Sequence, residues 1–251
     1  MQPPFVLFGP AHIAVMCLSF MVPVLLALMV RADDSRVADR MVRWGFAALL
    51  IANWVFWYGL FWRRGWLNWS DVLPMNLCDW AAVAAIVALL GRNQRAYELA
   101  YFWALAGTLQ GLITPATPYG FPEVRFIIFS VSHGGLIAAV LYLTFGTRMR
   151  PHVSALLPVI GWSLFYAAAA GSTDWLLNVD YGFLRAKPAN VSLFDFMPAW
   201  PRYIPVLILL GFASALVYYA PWFLADLIRG RRIQPSAGAS PKGFSGGVSA
   251  R

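Results

Sequence analysis

Apolar residues run along the chain in long unbroken stretches, and polar residues collect between them. Seven stretches, at about 11–30, 44–62, 73–91, 97–115, 126–147, 153–173 and 203–225, are long enough to cross a ~30 Å hydrocarbon core as helices. Within them only Asp79 and Glu98 carry a formal charge, Glu98 close to an end. The pattern predicts an all-α fold, a polytopic membrane bundle of seven transmembrane helices forming a single domain over residues 1–229. A basic tail rich in Gly, Ser and Pro follows over 230–251 and reads as disordered. The first stretch has no Lys or Arg before it and no small-residue cleavage pattern after it, so it reads as an uncleaved helix.

Composition strengthens the membrane reading. Of 251 residues, 60% are hydrophobic and 12% charged, where a soluble domain carries roughly 25% charge. Aromatic residues reach 16%, and Trp54, Phe56, Trp57, Phe61, Trp62, Trp66 and Trp69 read as an interfacial belt rather than an acyl-chain groove. The net charge of +8 raises nucleic acid as a partner, but the basic residues sit singly or in pairs beside apolar spans. No zinc-finger spacing, P-loop or Gly-rich dinucleotide loop occurs, so membrane phospholipids are the expected partner and nucleic acid is not. With the N-terminus outside, thirteen Lys and Arg fall on the inner side and six on the outer, which favours N-out/C-in. A multi-pass membrane protein is expected. Cys17 and Cys78 lie in separate spans and suggest no disulfide framework.

Polar groups are costly in hydrocarbon, so their depth is informative. On that topology Cys78 lies ~8 Å below the outer end of its span, Gln110 ~8 Å and His133 ~10 Å below theirs. Asn76, Asp79, Thr114, Ser130 and Asp174 fall at similar or shallower levels, and Ser130 shares the helix face of His133. The outer half of the bilayer is therefore the expected site. The blander alternatives are an imidazole that joins two helices beside Gly134-Gly135, and a cysteine that is a small buried hydrophobe. Cys17, among Met16, Leu18 and Phe20, fits the second description. His12 and His152 lie at span ends, where interfacial solvation suffices.

A cysteine and a histidine at one depth supply a nucleophile and a base, because the thiolate is the reactive form and an imidazole can generate it. Ester or thioester exchange suits the pair. A metal site would need three or four ligands and only Asp79 is an obvious third, so neither metal nor other cofactor is expected. Asp79 is a candidate for orienting His133, and Asn76 and Gln110 for donating to an oxyanion. In the long connection 174–202, Arg185 and Lys187 run against the positive-inside trend beside Tyr181. Together these three are candidates for holding a lipid head group.

The segment Leu73-Pro74-Met75-Asn76-Leu77-Cys78 resembles the Pro-x-x-Leu-Cys signature of the YwaF-like bacterial integral membrane proteins. Residues 107–115, followed by Phe129-Ser130-Val131-Ser132-His133-Gly134, resemble that family's central signature. Tyr181-Gly182-Phe183-Leu184 with Lys187-Pro188 resembles its outer-loop one. Asn76 stands where relatives often carry His, and Asp180 where the loop motif often carries Asn. The family is similar to an animal membrane acyltransferase that moves acyl chains between phospholipids, and more distantly to lipid hydrolases with a Thr nucleophile. The resemblance implies that Cys78 is the nucleophile and His133 the catalytic histidine of a lipid acyltransferase or ester hydrolase, and that the setting is a bacterial inner membrane. A non-catalytic lipid-binding or transport protein, and a structural subunit joined through its polar ring, are the alternatives.

Overall fold

In the computed structural model, which describes residues 3–188 and 192–230, the chain is helical from one end to the other. The predicted tail from 231 onward lies outside the described residues. Helix α1 (Pro10–Asp33) opens on a proline, whose missing N–H costs nothing at a helix start, and stops at Asp34 in the left-handed region. Helix α2 (Arg36–Arg64) starts at Ser35, whose hydroxyl accepts the Ala38 N–H at 3.2 Å, and ends at Gly65 with φ +66°. A single turn, α3 (Trp69–Val72), leads to α4 (Leu77–Gly91).

Helix α5 (Gln94–Trp103) continues without a break through a π-helical segment, Ala104–Thr108, into α6 (Leu109–Ile113), which Thr114 and Pro115 terminate. Helices α7 (Val124–Phe145), α8 (Leu156–Leu177) and α9 (Tyr203–Ile228) complete the fold.

Five of these segments are long and apolar enough to cross a bilayer: Pro10–Asp33, Arg36–Arg64, Val124–Phe145, Val153–Leu177 and Tyr203–Ile228. The chain is an integral membrane protein. The third predicted stretch is helical only from Leu77, because Pro74 cannot donate within a helix and Asn76 is the N-cap. Its 15 helical residues span ~22 Å. Cys78 accordingly stands in the first turn of α4, and its depth is set by the non-helical residues 73–76 above it.

The core lies where α4, α5 and α7 meet, and small residues make it dense. Ala81, Ala85 and Ala88 of α4, Ala100 of α5 and Ala139 of α7 are fully buried and let the backbones approach, with Phe102, Ile137 and Leu143 filling the remaining space. Helices α1, α2, α8 and α9 wrap this centre and leave most of their apolar surface exposed, Met29, Val55, Trp175 and Leu209 among it. Such faces suit lipid, which needs no polar rim.

Polar contacts gather at two opposite ends of the bundle. At one end, the N-terminal segment pairs with the loop after α6 (Phe5 N–H to Pro118 O, 3.0 Å; Gly120 N–H to Pro3 O, 2.8 Å). The chain after α8 closes on the residues before α4 at the same end. At the other end, Arg43 donates to the Leu89 carbonyl, and Arg92 to the Thr147 carbonyl at 3.3 Å. There too Arg150 grips Asp226 through two parallel bonds of 2.8 and 2.7 Å.

Candidate functional site

The first turn of α4 is built as a rigid corner. The Asp79 carboxylate accepts the Asn76 N–H at 3.0 Å, which closes the helix start, and the Trp80 indole donates to the Pro74 carbonyl at 3.0 Å. Asn76 Oδ1 accepts the Gly182 N–H at 3.3 Å from the chain beyond α8. Cys78, half-buried, is the second residue of this helix. Asn76 and Asp79 therefore shape the end of α4 on which Cys78 is carried.

The loop that covers this corner hangs on Tyr181. Its side chain is 1% exposed, and its hydroxyl donates to the Trp69 carbonyl at 2.5 Å and accepts the Leu73 N–H at 3.1 Å. Its own N–H goes to Asp174 Oδ1 at 2.7 Å. Tyr181 thus anchors the loop from inside rather than presenting itself on the loop surface. Gly182 follows at φ +63°, and a Cβ there would collide with the Tyr166 hydroxyl.

His133 projects from the middle of α7, stacked on Phe129 with ring centroids 4.0 Å apart. Its Nδ1 lies 3.2 Å from the Phe129 carbonyl oxygen, which can only accept. In the neutral ring Nδ1 therefore carries the proton and Nε2 presents a lone pair. Nε2 faces α6, where a Cβ added at Gly111 would lie 3.4 Å from it and 3.2 Å from Cδ2. One turn earlier, a Cβ at Gly107 would lie 3.0 Å from Leu77 Cδ2. Two glycines about 6 Å apart along one helix thus take Leu77, the neighbour of Cys78, and His133 against the same wall. The wall includes the π segment, a distortion found frequently at functional sites.

His12 holds the far end of that wall. It is 2% exposed, and its Nδ1 accepts the Phe8 N–H at 3.0 Å, so Nε2 carries the proton and donates to the Leu112 carbonyl at 2.8 Å. Protein groups, not interfacial solvation, satisfy it. A family model matches residues 7–219, from before His12 to beyond the Tyr181 loop. The chain belongs to the TMEM164 family. That is a family of animal membrane proteins, in keeping with the animal side of the resemblance drawn from the motifs. No curated protein and no solved structure gives a match.

The matched region of this TMEM164-family chain also contains the remaining candidates. The Gln110 side chain lies against the Tyr218 hydroxyl. Arg185 Nη1 donates to the Asp174 carbonyl at 3.0 Å and to Asn178 Oδ1 at 2.9 Å, capping the end of α8, while the residue itself remains exposed. Lys187 Nζ donates to the Met197 carbonyl at 2.7 Å. Cys17 is exposed on α1. His152 pairs with the buried Glu98 at 2.7 Å at the opposite end of the bundle. Tyr166, which the sequence did not single out, closes the corner beside Trp80 with ring centroids 5.5 Å apart.

Proposed function

We propose that this chain is a membrane-embedded lipid acyltransferase, or lipid ester hydrolase, with Cys78 as nucleophile and His133 as base. One observation carries the proposal: Leu77 and His133 pack on successive glycines of one helix, with the imidazole in the tautomer whose lone pair faces that helix. His133 Nε2 takes the thiol proton, and Cys78 Sγ bonds to the carbonyl carbon of a phospholipid ester. The carbonyl electron pair moves to oxygen and returns as the carbon–oxygen ester bond breaks. The departing lysolipid oxygen takes the proton from Nε2, leaving an acyl thioester on Cys78. A lipid hydroxyl, or water, then reverses these steps on the thioester and regenerates the thiol.

Within the same proposal, the protein is YwaF-like, sits in a bacterial inner membrane and crosses it seven times, N-out/C-in. The segregation of loop contacts to two ends supports alternate crossing, since every inter-loop bond described above joins loops that the proposed topology puts on one side. Reporter fusions to the C-terminus are expected to read as internal. Labelling of that tail by an impermeant reagent on intact cells would move the Cys78 corner to the inner leaflet.

Purified protein in phospholipid vesicles with a radiolabelled acyl chain tests the chemistry. A hydroxylamine-labile label on the protein, discharged by lysophospholipid or water, is the expected result; a lipid-binding or transport protein would take up none.

Arg185 and Lys187 are proposed to hold the substrate phosphate above Cys78. The bonds that tie Arg185 to α8 use Nη1, and the planar guanidinium has further donors on Nε and Nη2 for two parallel bonds to phosphate. Arg185→Ala is expected to lower turnover of phospholipid by about tenfold while sparing diacylglycerol, because a charge-assisted bond is worth roughly 1.5–3 kcal/mol. Equal loss on both donors would reject a phosphate-specific role.

A further inference from the structure

The Tyr166 side chain is 7% exposed, yet its hydroxyl has no hydrogen-bond partner among the described residues. A buried hydroxyl without a partner forfeits roughly 1–3 kcal/mol, so its position calls for a reason. Its surroundings supply one. Leu73, Met75, Leu77 and Trp80, the residues that frame the start of α4, pack against the small cluster that Tyr166 forms with Ala170 and Tyr181, and the Trp80 ring meets the Tyr166 ring. The hydroxyl itself lies against Gly182, whose N–H is bound to the α4 N-cap Asn76. It sits beside the Leu77 amide and within electrostatic range of Cys78.

The amides that open a helix have no acceptor within it and point out of its end, where the helix dipole favours negative charge. In α4 the first two belong to Leu77 and Cys78. A buried donor without an acceptor is thus aimed at a helix N-terminus whose second residue is the proposed nucleophile.

We propose that the Tyr166 hydroxyl and the Cys78 backbone N–H form the oxyanion hole for the ester carbonyl that Cys78 attacks. This inference rests on the acyl-transfer function proposed above. When Sγ bonds to the carbonyl carbon, the π pair moves to oxygen, and the two donors hold that oxygen while it is negative. As it collapses, the ester carbon–oxygen bond breaks and the lysolipid oxygen leaves with the proton from His133. Tyr166 gives up no proton. The buried Tyr181 and the Trp80 ring flank Tyr166, a setting in which such donors act more strongly than in open water.

Tyr166→Phe, in a Cys17→Ala background, tests the assignment with little risk to the fold, because it removes a hydroxyl that donates to no group among the described residues. Loss of one oxyanion donor lowers kcat by about a hundredfold or more in other enzymes, and the same is expected for acyl-thioester formation here, with KM for phospholipid unchanged. Inhibition by a long-chain trifluoromethyl ketone, which forms an anionic adduct with a thiolate, should weaken by a comparable factor. Alkylation of Cys78 by iodoacetamide displaces iodide from a saturated carbon and develops no oxyanion, so its rate should not change. Tyr166→Phe protein that acylates at the wild-type rate overturns the oxyanion role and leaves the Cys78 chemistry standing. Equal slowing of acylation and alkylation also overturns it, by showing that Tyr166 only positions Cys78. Wild-type protein that forms no acyl thioester overturns both this inference and the proposed function.

Discussion

Cys78→Ala protein is expected to take up no acyl label from phospholipid, a loss of more than about a thousandfold, whereas Cys17→Ala protein labels as wild type does. The contrast follows from where the two thiols stand. Cys78 opens α4 inside a corner closed by Tyr181 and Trp80, with its neighbour Leu77 on the wall that also receives His133. Cys17 lies on an exposed face of α1. Removing a half-buried sulfur typically costs about 1 kcal/mol, and the α4 cap formed by Asp79 and the Asn76 N–H does not involve it, so the variant should fold. His133→Ala should lose labelling too, because on the proposed mechanism the imidazole is the base that takes the thiol proton. Its loss should be smaller when assayed at high pH, where hydroxide ionises the thiol directly. Lipid turnover retained in well-folded Cys78→Ala protein would sink the nucleophile assignment.

The membrane-crossing helices were legible in the sequence for a simple reason. Lipid tolerates no unsatisfied backbone, so an apolar run of some twenty residues has few alternatives to a helix. Their ends were less legible. Hydropathy sees only the apolar part and so places the start of α2 at 44, although the helix begins eight residues earlier at Arg36, capped by Ser35 outside the apolar run. The start of α4 was misplaced in the opposite direction, because residues 73–76 are apolar enough to belong to a span while Pro74 and Asn76 prevent the helix. The π segment at Ala104–Thr108 had no sequence signal: nothing in Ala-Leu-Ala-Gly-Thr demands a wider turn, and packing decides it.

The candidate site was legible where its chemistry is rare. A Cys next to an Asp and a His inside apolar runs stand out because hydrocarbon penalises polar groups. Groups that acquire their meaning through distant contacts did not stand out. Tyr166 sits in an apolar helix, where tyrosine is unremarkable; its role depends on meeting Gly182 and Leu77, which no local pattern encodes. In sequence Tyr181 stands beside Arg185 and Lys187 as a candidate for holding a head group. The fold turns it inward, since Trp69 and Leu73 offer a carbonyl and an amide at the right spacing. His12 was misjudged likewise, its two partners being Phe8 and the Leu112 carbonyl a hundred residues away.

At the opposite end of the bundle, Arg150→Met is expected to destabilise the protein by about 2 kcal/mol, because hydrogen bonds to a charged group are worth roughly 1.5–3 kcal/mol. Arg150 binds both oxygens of Asp226, whose side chain is only 9% exposed, and thereby ties the start of the α7–α8 connection to the end of α9. The same connection is held to α5, where Gln94 donates to the Arg150 carbonyl at 2.8 Å and Glu98 accepts from the His152 N–H at 3.1 Å. Loss of the guanidinium removes two charge-assisted bonds from a largely buried carboxylate, so the penalty is mainly that of a less well compensated charge. The double variant Arg150→Met/Asp226→Leu removes both charges and should recover most of the loss, as apolar replacement of buried pairs often does. Reversible unfolding in mixed micelles measures both effects, and acyl labelling by the folded fraction should be unchanged because the Cys78 corner lies at the other end. If Arg150→Met shifts stability by less than about 1 kcal/mol, the pair behaves as a solvent-screened one and does not latch α9 to the bundle.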